Sequence, residues 1–178
     1  MNTADGIMEL AVLETGGTIN GIIDPAAPAP TYSRVVAWLC HHAARLQLKI
    51  ESRIVVMKDS RAMDDADRAR LAAAIEATPA RRILIPHGTY TMPATGVYLR
   101  RYLGAEAQAK SIVLVGSRIP LGEAGSDAPE ALEFAISTLR EEIVGVWIAM
   151  NGLTWHPAEV VKDEITGDYV ARNDARAD

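Results

Sequence analysis

Four clusters of glycine, hydroxyl and charged residues have the composition of a catalytic or binding site, and each directly follows a short aliphatic run. They are Glu14-Thr15-Gly16-Gly17-Thr18, Lys58-Asp59-Ser60-Arg61, His87-Gly88-Thr89-Tyr90-Thr91 and Gly116-Ser117-Arg118. Adjacent glycines let backbone N–H groups turn toward a ligand, so the first cluster could form an anion-binding nest or an oxyanion hole. A tight turn at the exit of a strand is an equally good interpretation of it.

Of the other three clusters, two can be explained by local structure and one favours a function. Asp59 and Ser60 could simply cap the helix that follows them, and capping is also sufficient for the fourth cluster. The third cluster favours a function, because His87, Thr89 and Tyr90 around a glycine are a crowded set of hydrogen-bonding side chains for a mere connection.

Hydroxyl groups at several strand ends, without a cluster of metal ligands or a phosphate-binding loop, favour nucleophilic catalysis by an activated threonine or serine. We therefore expect a site that uses neither a metal ion nor a cofactor. A threonine hydroxyl needs a base, and the candidates are His87, Lys58, Lys162 and an ionised Tyr32 or Tyr90. A lysine acts as a base only where burial or nearby positive charge lowers its pKa.

The elements that must position these clusters alternate between strands and helices. Five nearly continuous aliphatic runs predict strands at Glu9–Glu14, Lys49–Met57, Arg82–Pro86, Ser111–Gly116 and Ile143–Met150. Such runs are typical of parallel strands that are covered on both faces. Apolar residues at helical spacing predict covering helices at Ser33–Leu46, Asp65–Ala77, Asp127–Arg140 and, more weakly, Gly96–Leu103.

This alternation predicts a three-layer, doubly wound α/β domain over residues 7–172, with a Rossmann-like or flavodoxin-like, mainly parallel sheet. A Thr166-Gly167 step predicts a C-terminal hairpin within Val160–Arg172. We expect flexible tails at residues 1–6 and 173–178 and a mobile loop at Asp24–Pro30. Ligands of such folds bind beyond the carboxyl ends of the strands, which is where the four clusters lie.

Composition and charge narrow the possible partners. The 178 residues include 18 Lys and Arg against 23 Asp and Glu, so the net charge of −5 provides no positive field for nucleic acid. No apolar stretch approaches the ~20 residues that span a bilayer, and the first six residues lack the basic start of a secretory signal. We expect a cytoplasmic protein that binds neither nucleic acid nor membrane. The glycine spacing fits neither a P-loop nor the dinucleotide-binding fingerprint, which disfavours a nucleotide-binding module.

Two of the clusters closely resemble the signatures of bacterial-type L-asparaginases. These are Thr15-Gly16-Gly17-Thr18-Ile19 and His87-Gly88-Thr89-Tyr90-Thr91-Met92. The resemblance extends to Asp59-Ser60-Arg61-Ala62-Met63, to Gly116-Ser117-Arg118, to Ser126-Asp127-Ala128-Pro129, and to Met150-Asn151 followed by Lys162. It implies an amidohydrolase in which Thr18 attacks the side-chain amide carbon of L-asparagine or a related small amide. Ammonia leaves as an acyl-enzyme forms, and water then hydrolyses that intermediate.

The resemblance also implies roles for the residues around Thr18. Tyr32 would assist Thr18, while Thr89 and Lys162 would form a second proton-handling pair. Ser60 would hold the substrate's carboxylate, and backbone N–H groups near Gly88 and Thr89 would stabilise the oxyanion. The implied substrate-binding residues are Gly17, Asp59, Ser60, Gly88 and Tyr90.

The sequence departs from the family's pattern at Tyr90, where the family has an aspartate that contacts the substrate's ammonium group and the lysine. A phenol removes a negative charge that an amino-acid substrate would use. Tyr90 could close the pocket, favour an amide without an α-ammonium, or leave a weak or inactive domain that binds a small amino acid or amide.

A second departure is length. Full family members carry a smaller C-terminal domain whose acidic residue reaches into a neighbour's site, whereas this chain resembles the short, single-domain asparaginase-like proteins. We expect a homo-oligomer, either a dimer or a tetramer, in which a partner supplies the missing wall of the site or the wall is absent.

Overall fold

A mainly parallel sheet forms the centre of the molecule, which is seen here in a computed structural model that describes residues 6–26, 28 and 30–172. Its strands are β1 (Met8–Gly16), β2 (Leu48–Lys58), β3 (Arg82–Pro86), β4 (Ser111–Val115), β5 (Gly145–Met150) and β6 (Leu153–Trp155). They lie in the order β2-β1-β3-β4-β5-β6, and only the β5–β6 pair is antiparallel among these described strands. The predicted parallel α/β sheet is confirmed, and β6 is an addition to it.

Helices cover both faces of this sheet. They are α1 (Arg34–His42), α2 (Asp65–Ala77), α3 (Met92–Tyr102), α4 (Ala105–Gln108) and α5 (Ala128–Arg140). Strand β3 shows how the layers form, because Ile83 and Ile85 pack into the core beneath α2, α3 and α4, whereas Leu84 packs into the core beneath α1 and α5. All three side chains are fully buried, as expected for a strand between two helical layers. The edge strand β2 departs from this expectation, since its middle is exposed.

Side-chain caps set where the helices begin. The Asp64 carboxylate accepts a hydrogen bond from the Asp67 N–H, and the Asp67 carboxylate accepts one from the Asp64 N–H. This capping box starts α2 at Asp65, the predicted first residue of the helix. At the start of α5, by contrast, the Asp127 carboxylate does not cap its own helix. It accepts hydrogen bonds from the backbone N–H groups of Arg118 and Ile119. Asp127 therefore fixes the loop that follows β4 rather than the first turn of its own helix.

The predicted C-terminal hairpin is present and consists of β7 (Val160–Lys162) and β8 (Tyr169–Ala171), which pair antiparallel. Its buried side chains, Val160 and Tyr169, join the core beneath α3. The Tyr169 hydroxyl donates to the Thr89 carbonyl oxygen at 2.7 Å, and burial raises the pKa of this phenol well above its usual range. This docking carries Lys162 to the end of β3.

Two further predictions concern regions that the structure covers only in part. Residues 1–5 and 173–178 of the predicted tails, and residues 27 and 29 of the predicted mobile loop, lie outside the described residues. The domain boundaries at residues 7 and 172 stay a prediction. Within the described part of the chain, no helix has the length and apolarity to span a bilayer.

Candidate active site

Glycines bring the ends of β1, β2 and β3 into direct contact. Gly17, after β1, has a φ of 78°, and a Cβ atom there would lie 2.2 Å from the Gly88 nitrogen. A Cβ on Gly88, after β3, would lie 2.6 Å from the Ser60 Oγ. Since real Cβ atoms do not approach other atoms so closely, only glycine fits at these two positions. The turns that carry Thr18, Ser60 and Thr89 are therefore packed against one another.

This contact lies where a ligand site is expected in such a fold. The strand order reverses between β1 and β3, and ligands of doubly wound folds bind at the carboxyl ends of the strands at this point. Three hydrogen bonds hold the turns together. The Gly17 N–H donates to the Lys58 carbonyl at 2.9 Å, the Thr15 hydroxyl to the Pro86 carbonyl at 2.7 Å, and the Thr91 hydroxyl to the Ser60 carbonyl at 2.8 Å.

Thr18 begins a short 3-10 turn, Thr18–Asn20, at the exit of β1. Its side chain is half-buried, and no described residue donates to or accepts from its hydroxyl. The neighbouring alcohol, Thr15, is fully buried and hydrogen-bonded. Of the two threonines that flank Gly16 and Gly17, Thr18 is thus the one available to a ligand.

Thr89 and Lys162 form a direct pair. The Lys162 Nζ lies 2.9 Å from the Thr89 Oγ1, in hydrogen-bond distance, and Thr89 is buried beneath the hairpin. Burial, and secondarily the charge of Arg61, lower the pKa of Lys162, while Asp59 and Glu164 act in the opposite direction. A lysine with a lowered pKa is the kind of residue that can accept a proton near neutral pH.

Two other candidate bases are engaged in hydrogen bonds within the protein. His87 is fully buried, with Nδ1 at 2.7 Å from the Gly88 carbonyl oxygen and Nε2 at 3.0 Å from the Thr95 Oγ1. Burial lowers its pKa to about 4, so it is neutral at pH 7 and holds the Gly88 turn. Lys58 donates to the buried Asp67 carboxylate at 2.8 Å. Among the candidate bases, Lys162 has the geometry that suits the role best.

The two candidate tyrosines are both exposed. Tyr32 is 62% exposed beside α1 and β2, and the described contacts include none between Tyr32 and Thr18. Tyr90 is 55% exposed, with the Lys162 Nζ at 3.7 Å and the Arg61 Cζ at 4.9 Å from its ring centre. The structure therefore brings Tyr90 to the Thr89–Lys162 pair, whereas the role of Tyr32 beside Thr18 stays a prediction.

Asp59 and Ser60 differ sharply in their bonding, although both are buried. The Asp59 carboxylate accepts from the Arg61 Nε at 3.0 Å and from the Arg61 Nη2 at 2.8 Å, and these bonds lower its pKa. The Ser60 hydroxyl, beneath Gly88, has no hydrogen-bond partner among the described residues. An unsatisfied buried hydroxyl costs about 1–3 kcal/mol, so such groups are rare and often functional.

A buried carboxylate that we did not predict as a site residue anchors the Thr18 turn. Glu14 is fully buried and accepts hydrogen bonds from the Ser33 hydroxyl and from the Asn20 side-chain amide. Asn20 ends the turn that Thr18 begins, and Ser33 caps α1. Burial raises the pKa of Glu14 to about 7. Glu14 could have been identified from the sequence, because it is an acidic residue at the end of an aliphatic run.

Glu14 and His87 should affect stability in opposite directions as the pH changes. The raised pKa of Glu14, from 4.5 to about 7, adds stability at low pH that is lost as the pH rises through about 7. The lowered pKa of His87, from 6.5 to about 4, adds stability at high pH that is lost as the pH falls through about 4. Between about pH 4.5 and 6.5 the two effects largely cancel.

Replacing Glu14 with glutamine should remove this cancellation. We expect the free energy of unfolding of Glu14→Gln to fall, relative to that of the wild type, by about 1.4 kcal/mol per pH unit between pH 6.5 and 4.5. Urea unfolding at several pH values measures this difference. An equal pH dependence in the two proteins would contradict the raised pKa of Glu14.

Comparison with known proteins adds independent findings. A family model described as Asparaginase, N-terminal, matches residues 9–167. An L-asparaginase of Thermococcus kodakarensis is 30% identical over 145 residues, which are 80% of this chain and 44% of that protein. Two solved structures share the fold. One is a probable cytoplasmic L-asparaginase from Campylobacter jejuni, with a TM-score of 0.76 and 26% identity over 94% of this chain and 54% of that one. The other is the thermostable L-asparaginase from T. kodakarensis, with a TM-score of 0.79 and 27% identity over 92% of this chain and 51% of that one. The chain spans about half the length of these relatives.

Proposed function

The chain belongs to the asparaginase family, and from this premise we propose that it is an amidohydrolase that releases ammonia from L-asparagine or a related small amide through a threonine acyl-enzyme. The observation that carries the proposal is the contact between the Gly17 and Gly88 turns, which brings Thr18 and the Thr89–Lys162 pair to one edge of the sheet. A nucleophile and a proton-handling pair on adjacent turns are what a two-step acyl transfer requires.

In the first step, a base takes the Thr18 hydroxyl proton, the role proposed for Tyr32, while the Thr18 oxygen attacks the amide carbon and the carbonyl oxygen becomes an oxyanion. Backbone N–H groups of the Gly88 turn stabilise that charge, an effect worth about 10²–10³ in rate for each donor in other enzymes. Collapse of the intermediate expels the nitrogen, which takes up a proton and leaves as ammonia. In the second step, the Thr89–Lys162 pair removes a proton from water, which attacks the acyl carbon. The acid is freed, and the Thr18 oxygen takes up a proton as it leaves, which regenerates its hydroxyl.

The remaining roles concern substrate binding and assistance. We assign the substrate's carboxylate to Ser60, because it would supply the partner that the Ser60 hydroxyl lacks. Gly88 covers that hydroxyl, so this contact requires the Gly88 turn to shift. Gly17 and Gly88 shape the oxyanion pocket, and Asp59 orients Arg61. Tyr32 would assist Thr18, the role that the family resemblance implies. A homo-oligomeric state and a cytoplasmic location stay predictions.

A second candidate is a domain that binds a small amino acid or amide with little or no turnover. It is favoured by the position of the Lys162 ammonium over the face of Tyr90, because this cation–π contact stabilises the protonated lysine. A protonated lysine is a poor base, so the contact opposes the effect of burial on Lys162.

Ammonia release separates the two candidates. The purified protein, shown to be folded by circular dichroism, is incubated with L-asparagine, L-glutamine and simple amides. We expect ammonia from at least one of them. No release from any, together with calorimetric binding of aspartate or asparagine, would replace the enzyme with the binding domain.

A further inference from the structure

The entrance to the site carries more accessible positive than negative charge. A groove of about 420 Å³ beside Tyr90 is lined by Pro93, Ala94, Val97, Val160 and Val161 and by three charged residues, Lys162, Glu164 and Arg172. Arg61 lies against the same tyrosine ring as Lys162. The cations at this entrance are therefore Arg61, Lys162 and Arg172, and the exposed carboxylates are Glu164, which lines the groove, and Asp24, whose charge acts on Arg61.

Asp59, a further carboxylate near the entrance, is not open to a ligand. It is 5% exposed, its Oδ1 accepts from the Arg61 N–H and Nε, and its Oδ2 accepts from the Arg61 Nη2. An ammonium group in the site would have to displace Arg61 to reach it. Lys162 forms no ion pair within the described residues, so its charge is not neutralised by a contact.

Arg61 has hydrogen-bond donors to spare. Its Nε and Nη2 are bound to Asp59, and Nη2 also donates to the Ile23 carbonyl at 3.0 Å. A guanidinium group has five N–H donors, and the two on Nη1 have no acceptor among the described residues. The side chain is partly exposed, and Asp59 holds its plane in place. The free Nη1 can donate a charge-assisted hydrogen bond to a ligand carboxylate, while the bidentate side of the guanidinium is bound to Asp59.

We propose that the site selects small carboxamides that carry a carboxylate and no free ammonium group, and that Arg61, beside Tyr90, binds this carboxylate together with its neighbour in sequence, Ser60. The inference rests on the proposed amidohydrolase function and names its substrate class. The monoamide of a dicarboxylic acid is the simplest member of that class. An α-ammonium group would be repelled by the Arg61 guanidinium, which stays charged, and by Lys162 whenever that amine is protonated, whereas a carboxylate without an ammonium group gains charge-assisted hydrogen bonds.

Four amides that share the group CH₂–CO–NH₂ test each charge separately. Succinamate has a carboxylate, β-alaninamide has an ammonium group, L-asparagine has both, and propionamide has neither. We expect kcat/KM to be highest for succinamate, about 10-fold or more above L-asparagine, and lowest for β-alaninamide. A value for L-asparagine equal to or above that for succinamate would overturn the proposal.

Substitution of Arg61 tests its role in this preference. Arg61→Gln should lower kcat/KM for succinamate by about 10- to 100-fold and leave propionamide nearly unchanged. Because this change leaves Asp59 buried without its partner, a double variant with Asp59→Asn removes both charges and is expected to show the same loss. Arg45→Gln, which changes the net charge equally but lies in an exposed pair with Glu133, is the matched control and should have no effect. Equal losses for succinamate and propionamide would refute the role of Arg61.

Failure of this inference can be told apart from failure of the proposed function. If a folded protein releases no ammonia from any of the four amides, the hydrolase is refuted, and calorimetric titration with succinate and L-aspartate still decides the charge preference. Tighter binding of succinate supports the preference. Tighter binding of L-aspartate, or no binding of either, overturns it.

Discussion

Replacing Thr18 with alanine is expected to lower kcat for ammonia release by at least about 10³-fold, because it removes the atom that attacks the amide carbon. The fold should tolerate the change. Thr18 is half-buried, and its hydroxyl bonds to no described residue, so the free energy of unfolding should change by about 1 kcal/mol or less. Steady-state ammonia assays, with urea unfolding of the same preparations, measure both quantities.

Thr15 provides a matched control for this prediction, since it lies on the other side of Gly16 and Gly17. Its buried hydroxyl donates to the Pro86 carbonyl, so Thr15→Val should lower the free energy of unfolding by about 1–3 kcal/mol. While the variant is folded, its kcat should stay close to the wild-type value. The two threonines should therefore separate activity from stability. Hydrolysis that survives in Thr18→Ala would refute the acyl-enzyme.

The main elements of the fold could be predicted because their signals are local. The strand Arg82–Pro86 and the helix Asp65–Ala77 agree with the structure residue for residue, since continuous aliphatic runs and capped apolar periodicity depend on short stretches of chain. Strand β6 and helix α4 were not predicted, because three or four residues are too few to show a period. The helix predicted at Gly96–Leu103 begins earlier, at Met92, because Pro93 fits its first turn and gave no helical signal.

The candidate site likewise has features that the sequence could predict and features that it could not. The adjacent Gly16 and Gly17 and the single Gly88, all at strand ends, indicated the turns that carry Thr18 and Thr89, and parallel strands bring such turns to one edge. The position of Arg61 could not be predicted, because it depends on a side-chain rotamer that is selected by Asp59 and Ile23. The stacking of Lys162 on Tyr90 likewise depends on how the hairpin docks. The hairpin docks through the hydrogen bond from Tyr169 to Thr89, two residues that lie 80 positions apart in sequence. Long-range side-chain contacts are the part of a site that local patterns do not contain.

Replacing Lys162 with methionine is expected to lower kcat by about 10²–10⁴-fold, the usual contribution of a positioned acid–base group. The Lys162 Nζ lies 2.9 Å from the Thr89 Oγ1, and methionine keeps most of the side chain's length while it removes this contact. The pH dependence gives a second readout. Because the neutral amine is the active form, the wild-type kcat should rise with pH through the lowered pKa of Lys162, and Lys162→Met should lack that rise.

Lys110 is the matched control for Lys162, because it is also shielded from solvent and donates to protein oxygens. Its Nζ donates to the carbonyl groups of Ile75 and Thr78, at the amino end of β4 and away from the glycine turns. Lys110→Met should therefore lower stability and leave both kcat and its pH dependence unchanged. If Lys162→Met kept the wild-type pH profile, the proton acceptor would have to be another group. Because His87 and Lys58 are already engaged, the candidate bases left by that result would be Tyr32 and Tyr90.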